Sequence, residues 1–533
     1  MTDLIEIMKR NSETIADNCF IRYMGNSITY ADFVSYTNSV AEQFFGVGIV
    51  SGDVIAIISE NIPQFIICQY ATWMNNCVFL PLSPMDSTEE IKYKIRESNV
   101  SILIISSEFS DKFKGIEESD QLTILYTDPE TFGLFPESIK AIFPETVHTQ
   151  AEQLDLRKKS SFGNEISGDS IVRLLVYTSG TTGNQKAAMI RQSNIQAATT
   201  IYEKWFNVTS ADINLGVSPF FHITGLIFGI ALSSLCGSTL VLPYRFSPKE
   251  THSLIKNERT TITMYVATAY RAMLNEWSAL PNIKSDLKSM RLWSAGGMPM
   301  SVKTEMDWNR LTGKWIHMAY GLTETTSPVT LWDYPYKGPI KIHGAIVSSG
   351  KPVYQTVLTL RSLENVSSFN HKKTGELIVS GPQVIDSYQG YKLNLDETFT
   401  ENGFRTGDIA FIDKAGWVYI IDRLKNIINS SGYKIWPVEV ENLIRQVSSV
   451  EDVIVIGRED SFRGEIPIAY VKLKKNESLI KDTVKDEILG ICRQRLSSFK
   501  IPREIHFIDS IPLSPSGKIN RRDVVKLLKE VKE

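Results

Sequence analysis

Cysteine is scarce in this chain. Five residues, Cys19, Cys68, Cys77, Cys236 and Cys492, are scattered over 533 positions with no C-x-x-C pair. That argues against a disulfide framework or a zinc site and predicts buried thiols in a reducing compartment. A surplus of either charge is also missing: 57 Lys and Arg against 60 Asp and Glu give a formal net charge of −3. No electrostatic footprint for nucleic acid follows. The N-terminal Met-Thr-Asp-Leu-Ile-Glu-Ile-Met-Lys-Arg has charges where a signal peptide needs an apolar core, and the final Leu-Lys-Glu-Val-Lys-Glu carries no address. One uncharged run, 223–243, is broken by Ser233, Ser234, Gly237 and Ser238. It reads as a buried helix of about ten residues followed by a strand, rather than a membrane span. A soluble, cytoplasmic protein is expected.

Composition is otherwise ordinary, 43% hydrophobic and 22% charged, which supports packed cores. The length predicts several domains of about 100–200 residues each. Apolar runs at 54–58, 78–82, 101–105, 123–126, 174–177, 239–242, 262–266 and 291–294 alternate with helical patterns such as 30–45 and 88–98. That alternation predicts parallel α/β sheets. Beyond about residue 340 short runs with Gly, Pro and Asn turns suggest a small β-rich layer. After Asp422-Arg423-Leu424-Lys425 a new unit begins, with its own strands at 453–456 and 469–473 and helices at 438–446 and 479–496. The expected division is 1–424 and 425–533.

One stretch carries chemistry. Tyr177-Thr-Ser-Gly-Thr-Thr-Gly-Asn-Gln-Lys186 follows an apolar run that reads as a strand leaving a sheet. Glycines turn backbone N–H groups inward, hydroxyls donate further bonds, and a lysine brings a mobile positive charge, which together suit a polyphosphate. Gly180 and Gly183 stand too close for the G-x-x-x-x-G-K loop. Alone, such a stretch also reads as a flexible linker.

Six further segments accompany it: Pro219-Phe-Phe-His-Ile-Thr-Gly225; Ser294-Ala-Gly-Gly-Met-Pro299; Tyr320-Gly-Leu-Thr-Glu324; Gly375-Glu-Leu-Ile-Val-Ser-Gly-Pro382; Arg405-Thr-Gly-Asp408 with Asp422-Arg-Leu-Lys425 and Gly432-Tyr-Lys-Ile-Trp-Pro437; and Ser514-Pro-Ser-Gly-Lys518. In this order and spacing the chain resembles the adenylate-forming superfamily of acyl-CoA synthetases, luciferases and adenylation domains, from Thr29-Tyr30 to Lys518. The resemblance implies an α/β fold: a large N-terminal part with two α/β subdomains and a small β-barrel, and a smaller mobile α+β C-terminal domain. It also implies a two-step reaction. A carboxylate attacks the α-phosphate of MgATP to give acyl-AMP and pyrophosphate, and a thiol, usually coenzyme A, then displaces AMP.

The roles it implies are read position by position. Thr178, Ser179, Gly180, Thr181, Thr182, Gly183 and Lys186 would cradle the departing phosphates. Tyr320 would stack on adenine against the Gly296-Gly297 backbone, beside Gly321. Thr323 and Glu324 match the phosphate and magnesium positions, Glu324 holding Mg²⁺ with water between, as a hard oxygen donor can. Asp408, expected in a tight turn after Gly407, would accept the ribose hydroxyls, and Arg423 would reach the ribose or phosphate. Lys518 matches the catalytic lysine that stabilises charge on the α-phosphate. Lys425 matches the hinge, and Gly432 and Tyr433 the passage for coenzyme A. His222, with Thr224 and Gly225, would border the acyl pocket and the reacting carboxylate; beside two phenylalanines it also reads as a packed core residue. It has no ligand-spaced partner for a metal.

The sequence departs from the pattern at four places. The phosphate loop ends Gly183-Asn-Gln185-Lys186-Ala187 where Gly-x-Pro-Lys-Gly is usual, Met318 replaces the polar residue before the tyrosine, and Asn426 replaces the acid after the hinge lysine. None removes a charge-bearing group, so an active enzyme is expected. No acid stands near His222 to hold a substrate ammonium, and a buried unpaired ammonium is costly, so amino acids are disfavoured. With 15 residues after Lys518, a fused carrier domain is not expected. A medium- or long-chain fatty acid is the first expectation, with homodimerisation open. An aryl acid, a separate acyl carrier protein as acceptor, and a weakened nucleotide-binding homologue are the alternatives.

Overall fold

The computed structural model describes residues 3–116, 122–134, 154–155, 171–178, 185–340, 347–363, 374–390, 398–474, 481–512, 521 and 524. The predicted alternation folds into two large sheets. One has six strands in the order Thr123–Thr127, Val100–Ser106, Val54–Ile58, Val78–Leu82, Val172–Tyr177, Ala187–Arg191. All neighbours are parallel except the last pair, which is antiparallel. Val54–Ile58 is buried at every position, as a strand covered on both faces should be.

The second sheet has nine strands, with Leu292–Ala295 and Ile262–Tyr265 parallel near its centre. At one side Ile316–Leu322 runs parallel to Leu292–Ala295, then pairs antiparallel with Ser327–Leu331. Helix Pro63–Met74 is buried along its whole length, and one apolar cluster joins it to residues of both sheets, Ile55 and Phe79 in one, Phe20 and Leu240 in the other. Its Trp73 Nε1 donates to the Arg173 carbonyl, and Arg173 Nη1 donates back to the Trp73 carbonyl. Helix Tyr30–Gly46 begins where the Thr29 side chain accepts the Asp32 N–H, and Thr88–Glu97 begins with a reciprocal Ser87–Glu90 box. Trp277, Trp293 and Trp308 pack against one another beneath the second sheet, with ring centroids 4.9–6.3 Å apart.

The uncharged run is helical and buried, as expected, but its first part, Gly225–Ala231, is a π-helix before Leu232–Cys236 continues as α. No helix among the described residues is long and apolar enough to cross a membrane.

The β-rich layer forms an antiparallel sheet of five strands: Val357–Arg361, Gly375–Ser380, Gly403–Ile412 and Phe399–Thr400 in order, with Val418–Arg423 also on Gly403–Ile412. This corrects the expected barrel: among the described residues the sheet is open. Its last strand pairs outward instead of closing, since Val418 N–H donates to Gly350 C=O and Ser349 N–H to Val418 C=O. Past a short turn at Leu424–Asn426, a further five-stranded sheet is built on the long hairpin Val450–Asp460 and Gly464–Leu473. Helices Pro437–Ile444 and Lys481–Arg495 contribute to its apolar core. Arg271 on helix Ala267–Trp277 reaches across to this unit, 2.6 Å from Asp452, which Arg445 also contacts at 3.1 Å.

Candidate active site

Strand Val172–Tyr177 delivers the chain to Thr178, whose N–H donates to the Lys186 carbonyl at 2.9 Å. Both ends of the predicted phosphate loop are therefore joined, and strand Ala187–Arg191 returns antiparallel. Ser179, Gly180, Thr181, Thr182 and Gly183 lie outside the described residues, as does Lys518. Ala187 is buried and packs in the core of the six-stranded sheet.

Strand Ile316–Leu322 brings Tyr320, Thr323 and Glu324 to the end of the other sheet. Tyr320 Oη donates to Asp408 Oδ2 at 2.7 Å, and Arg423 Nε lies 3.1 Å from Asp408 Oδ1. Asp408 and Arg423 stand opposite each other on adjacent strands, which fixes that ion pair. Asp408 thus lies within strand Gly403–Ile412, not in the expected turn; the positive φ of Gly407 (+68°) falls inside a break of register between Arg405 and Ile409. The Asp408 side chain is almost fully buried at 5% exposure, whereas 42% of the Arg423 side chain remains open.

Glycine is required at 321: a Cβ there would lie 1.7 Å from the Ser327 carbonyl oxygen. The chain doubles back tightly after Glu324, with Thr326 and Ser327 both at positive φ (+45° and +89°). Two consecutive non-glycine residues in that region are costly, a strain that recurs at functional sites. Gly296 closes the other side: its N–H donates to Tyr265 C=O at 3.0 Å, and its Cα faces the Ala319 carbonyl next to Tyr320. Gly297 follows, exposed. Met318 is buried in the tryptophan-rich core, and its carbonyl accepts the Trp332 N–H.

Glu324 meets a residue the sequence reading missed. Tyr388 Oη donates to Glu324 Oε1 at 3.0 Å, and Lys186 Nζ sits 5.3 Å from the centre of the Tyr388 ring. Tyr388 thus ties Lys186 to Glu324, and the charges of Arg423 and Asp408 in the neighbouring Tyr320–Asp408–Arg423 group act on Glu324. Burial pushes the Glu324 carboxyl above the ordinary range, opposed by the Tyr388 bond and the Arg423 charge. Asp408 holds the Arg423 guanidinium more firmly protonated, while burial and Asp408 push the Tyr320 phenol up.

The His222 loop is positioned by Asn61, also unforeseen. Its amide donates to the carbonyls of Gly216 (2.9 Å) and Ser218 (3.1 Å), and its oxygen accepts the Phe220 N–H (2.9 Å). The His222 ring packs tilted against Phe221 with centroids 4.9 Å apart, and its carbonyl accepts the Leu226 N–H. Thr224 precedes the π-helix, and Gly225 touches the loop backbone: a Cβ there would meet the Pro219 oxygen at 2.3 Å. Lys425 is exposed in the Leu424–Asn426 turn, and Asn426 donates to Asp422 at 2.8 Å. Gly432 and Tyr433 belong to an exposed hairpin of the C-terminal sheet, with Tyr433 stacked on Phe499 at 4.6 Å. Among the described residues no cluster of His, Cys, Asp and Glu has the makings of an all-protein metal site.

Two large sheets meeting over a helix, a cluster of tyrosine, carboxylates, arginine and lysine at their ends, and a smaller α+β unit beyond make an adenylate-forming enzyme. The chain belongs to the AMP-binding enzyme family: the family model matches residues 8–389, and the model of its C-terminal domain matches 439–518. It is 29% identical to a long-chain-fatty-acid–CoA ligase of Bacillus subtilis, over 99% of this chain and 95% of that one. With 4-coumarate–CoA ligase 3 of Arabidopsis thaliana it shares 28%, over 94% and 86%. The fold matches the crystal structure of ATP-bound MatB from Rhodopseudomonas palustris with a TM-score of 0.85, covering all of both chains at 23% identity.

Proposed function

We propose that this protein is an AMP-forming acid–thiol ligase that activates a carboxylic acid with MgATP and transfers the acyl group to coenzyme A. The observation that carries the reading is two neighbouring sets of groups: Tyr320–Asp408–Arg423, and Glu324 and Lys186 held by Tyr388, with the Arg423 and Asp408 charges acting on Glu324. Such a cluster offers a ribose acceptor, two cations for phosphate oxygens and one hard oxygen donor. That donor set fits a Mg²⁺ ion which takes its remaining ligands from water and the triphosphate. Bound there, the ion would neutralise charge on the leaving phosphates.

The protein's own groups would act as follows. Thr178 and Lys186 flank the phosphate loop and orient the β- and γ-phosphates. Asp408 accepts the ribose hydroxyls, and Arg423, held by Asp408, leans its open face toward the phosphate. The His222 loop, fixed by Asn61, borders the acid. Lys518 supplies positive charge to the α-phosphate during adenylation. Rotation of residues 425–533 about Lys425 then exchanges Lys518 for the Gly432 hairpin, along which the thiol arrives. The Arg271–Asp452 contact is one that this rotation breaks.

For the acid, a medium- or long-chain fatty acid is the first choice. The apolar π-helix Gly225–Ala231 behind the His222 loop, and the similarity to a fatty-acid ligase over nearly the whole chain, support it. An aryl acid is the second choice, supported by the similarity to a 4-coumarate ligase.

The test is acid-dependent pyrophosphate release from MgATP, with and without coenzyme A, across fatty acids, aryl acids and amino acids. Turnover needing both an acid and coenzyme A is expected. Single-turnover release indifferent to coenzyme A would favour a carrier protein as acceptor, and no release with any acid would overturn the reading. Lys518→Ala should abolish adenylation while sparing thioester formation from supplied acyl-AMP; equal loss of both would overturn the rotation.

A further inference from the structure

Tyr388 lies between the two charged groups that must act on the same triphosphate, and it is tied into both of their chain segments. Its hydroxyl donates to Glu324 Oε1 at 3.0 Å, and its ring faces Lys186 Nζ at 5.3 Å. Its backbone is pinned from both sides. Tyr388 and Ala188 form an antiparallel bridge, flanked by Gln389 N–H to Ala187 C=O (2.9 Å) and Met189 N–H to Ser387 C=O (3.2 Å). On the Glu324 side, Ile385 N–H donates to the Glu324 carbonyl at 2.9 Å. The side chain is buried at 8% exposure and packs against Phe399 at 5.9 Å. A residue present only to fill space would need neither a hydroxyl aimed at a carboxylate nor a ring aimed at an ammonium.

We propose that Tyr388 is a positioning residue for nucleotide and metal binding: its hydroxyl orients the Glu324 carboxylate toward Mg²⁺, and its ring steadies the Lys186 ammonium at the mouth of the phosphate loop. The two tasks belong to different parts of one side chain, so they can be removed separately. The hydroxyl bond holds the carboxylate by Oε1. Neighbouring partners of a metal ligand tune affinity in this way. The ring offers its negative face to a cation without fixing the cation's hydrogen bonds, which leaves the ammonium able to turn toward phosphate oxygens. The charged groups around Glu324 are Arg423 and Asp408, with Lys186 across the ring.

This inference rests on the adenylating reaction proposed above, so the experiment begins with the unmodified enzyme. Its failure to release pyrophosphate would sink that reaction and not the role of Tyr388 alone. In an active enzyme, Tyr388→Phe keeps the ring and loses the hydroxyl. It should raise the Mg²⁺ concentration for half-maximal rate about tenfold. The KM for ATP at saturating Mg²⁺ should stay close to that of the parent. Tyr388→Leu loses both parts and should in addition raise that KM by about two- to fivefold. In a Glu324→Gln background, Tyr388→Phe should add nothing further to the Mg²⁺ dependence. A Tyr388→Phe enzyme with an unchanged Mg²⁺ response would overturn the hydroxyl's role. Phe and Leu variants with the same KM for ATP would overturn the ring's role.

Discussion

Strand Ile316–Leu322 has a buried or half-buried glutamate at each end, and the two are built for opposite purposes. At its start, Glu305 from helix Val302–Thr312 accepts the Ile316 N–H at 2.9 Å and is fully buried. Among the described residues its other oxygen has no hydrogen-bond partner, and burial pushes its carboxyl up to about 8. Just past its end, Glu324 is partly open, accepts the Tyr388 hydroxyl and feels the Arg423 charge. Burial alone makes an acid keep its proton. Burial pushes both carboxyls up, and each has a donor and a nearby cation, but only Glu324 has an opening and a side-chain hydroxyl aimed at it.

The largest expected effect separates the two glutamates. Glu324→Gln should cut the rate of acid-dependent pyrophosphate release by about 10²–10³-fold with little change in Tm. Glu305→Gln should leave turnover within a few-fold of the parent, about the scatter of a neutral change. Comparable losses in both variants would dissolve the comparison.

Next is stability against pH. The Glu305 carboxyl holds its proton more tightly folded (about 8) than unfolded (4.5). Its contribution is therefore complete below pH 4.5 and is lost as pH rises toward 8, on the order of 3–5 kcal/mol if fully expressed. Urea unfolding from pH 5 to 8 should show this decline in the parent and a flatter curve in Glu305→Gln. Parallel curves would refute the assignment.

The smallest effect sharpens the contrast between fixed and movable contacts. Arg271→Ala removes a partly exposed pair that the proposed rotation would break. It should change the ratio of the two single-turnover half-reactions by about two- to fivefold, with Tm nearly constant. An unchanged ratio would mean that the contact does not bias the rotation.

Much of the architecture was legible because it is local. Period and turn residues marked the strands Val54–Ile58, Val78–Leu82 and Thr239–Leu242 at their bounds. The motif order pointed to the family, and the cluster of Lys186, Tyr320, Glu324, Asp408 and Arg423 came from the same segments. Long-range closure was not legible. Whether Val418–Arg423 would close a barrel depended on Ser349 and Gly350, some 70 positions away in the chain. The Gly407–Asp408 step looks like a turn in sequence because a positive-φ glycine also serves a strand irregularity. The π-helix has the same apolar pattern as an α-helix. Tyr388 lies six residues past the Gly375–Pro382 segment, and nothing local says that its hydroxyl meets a carboxylate 64 positions earlier.

The bridge between Ala188 and Tyr388 has a consequence for solubility. Ala187–Arg191 is the outermost strand of the six-stranded sheet, and its outer backbone groups would be a template for pairing with another chain. Residues 387–389 occupy part of that edge with two backbone hydrogen bonds. The segment that carries a tyrosine to the nucleotide is therefore also the sheet's guard against aggregation. A proline at Gln389, whose N–H donates to Ala187, would expose the edge as well as disturb the site.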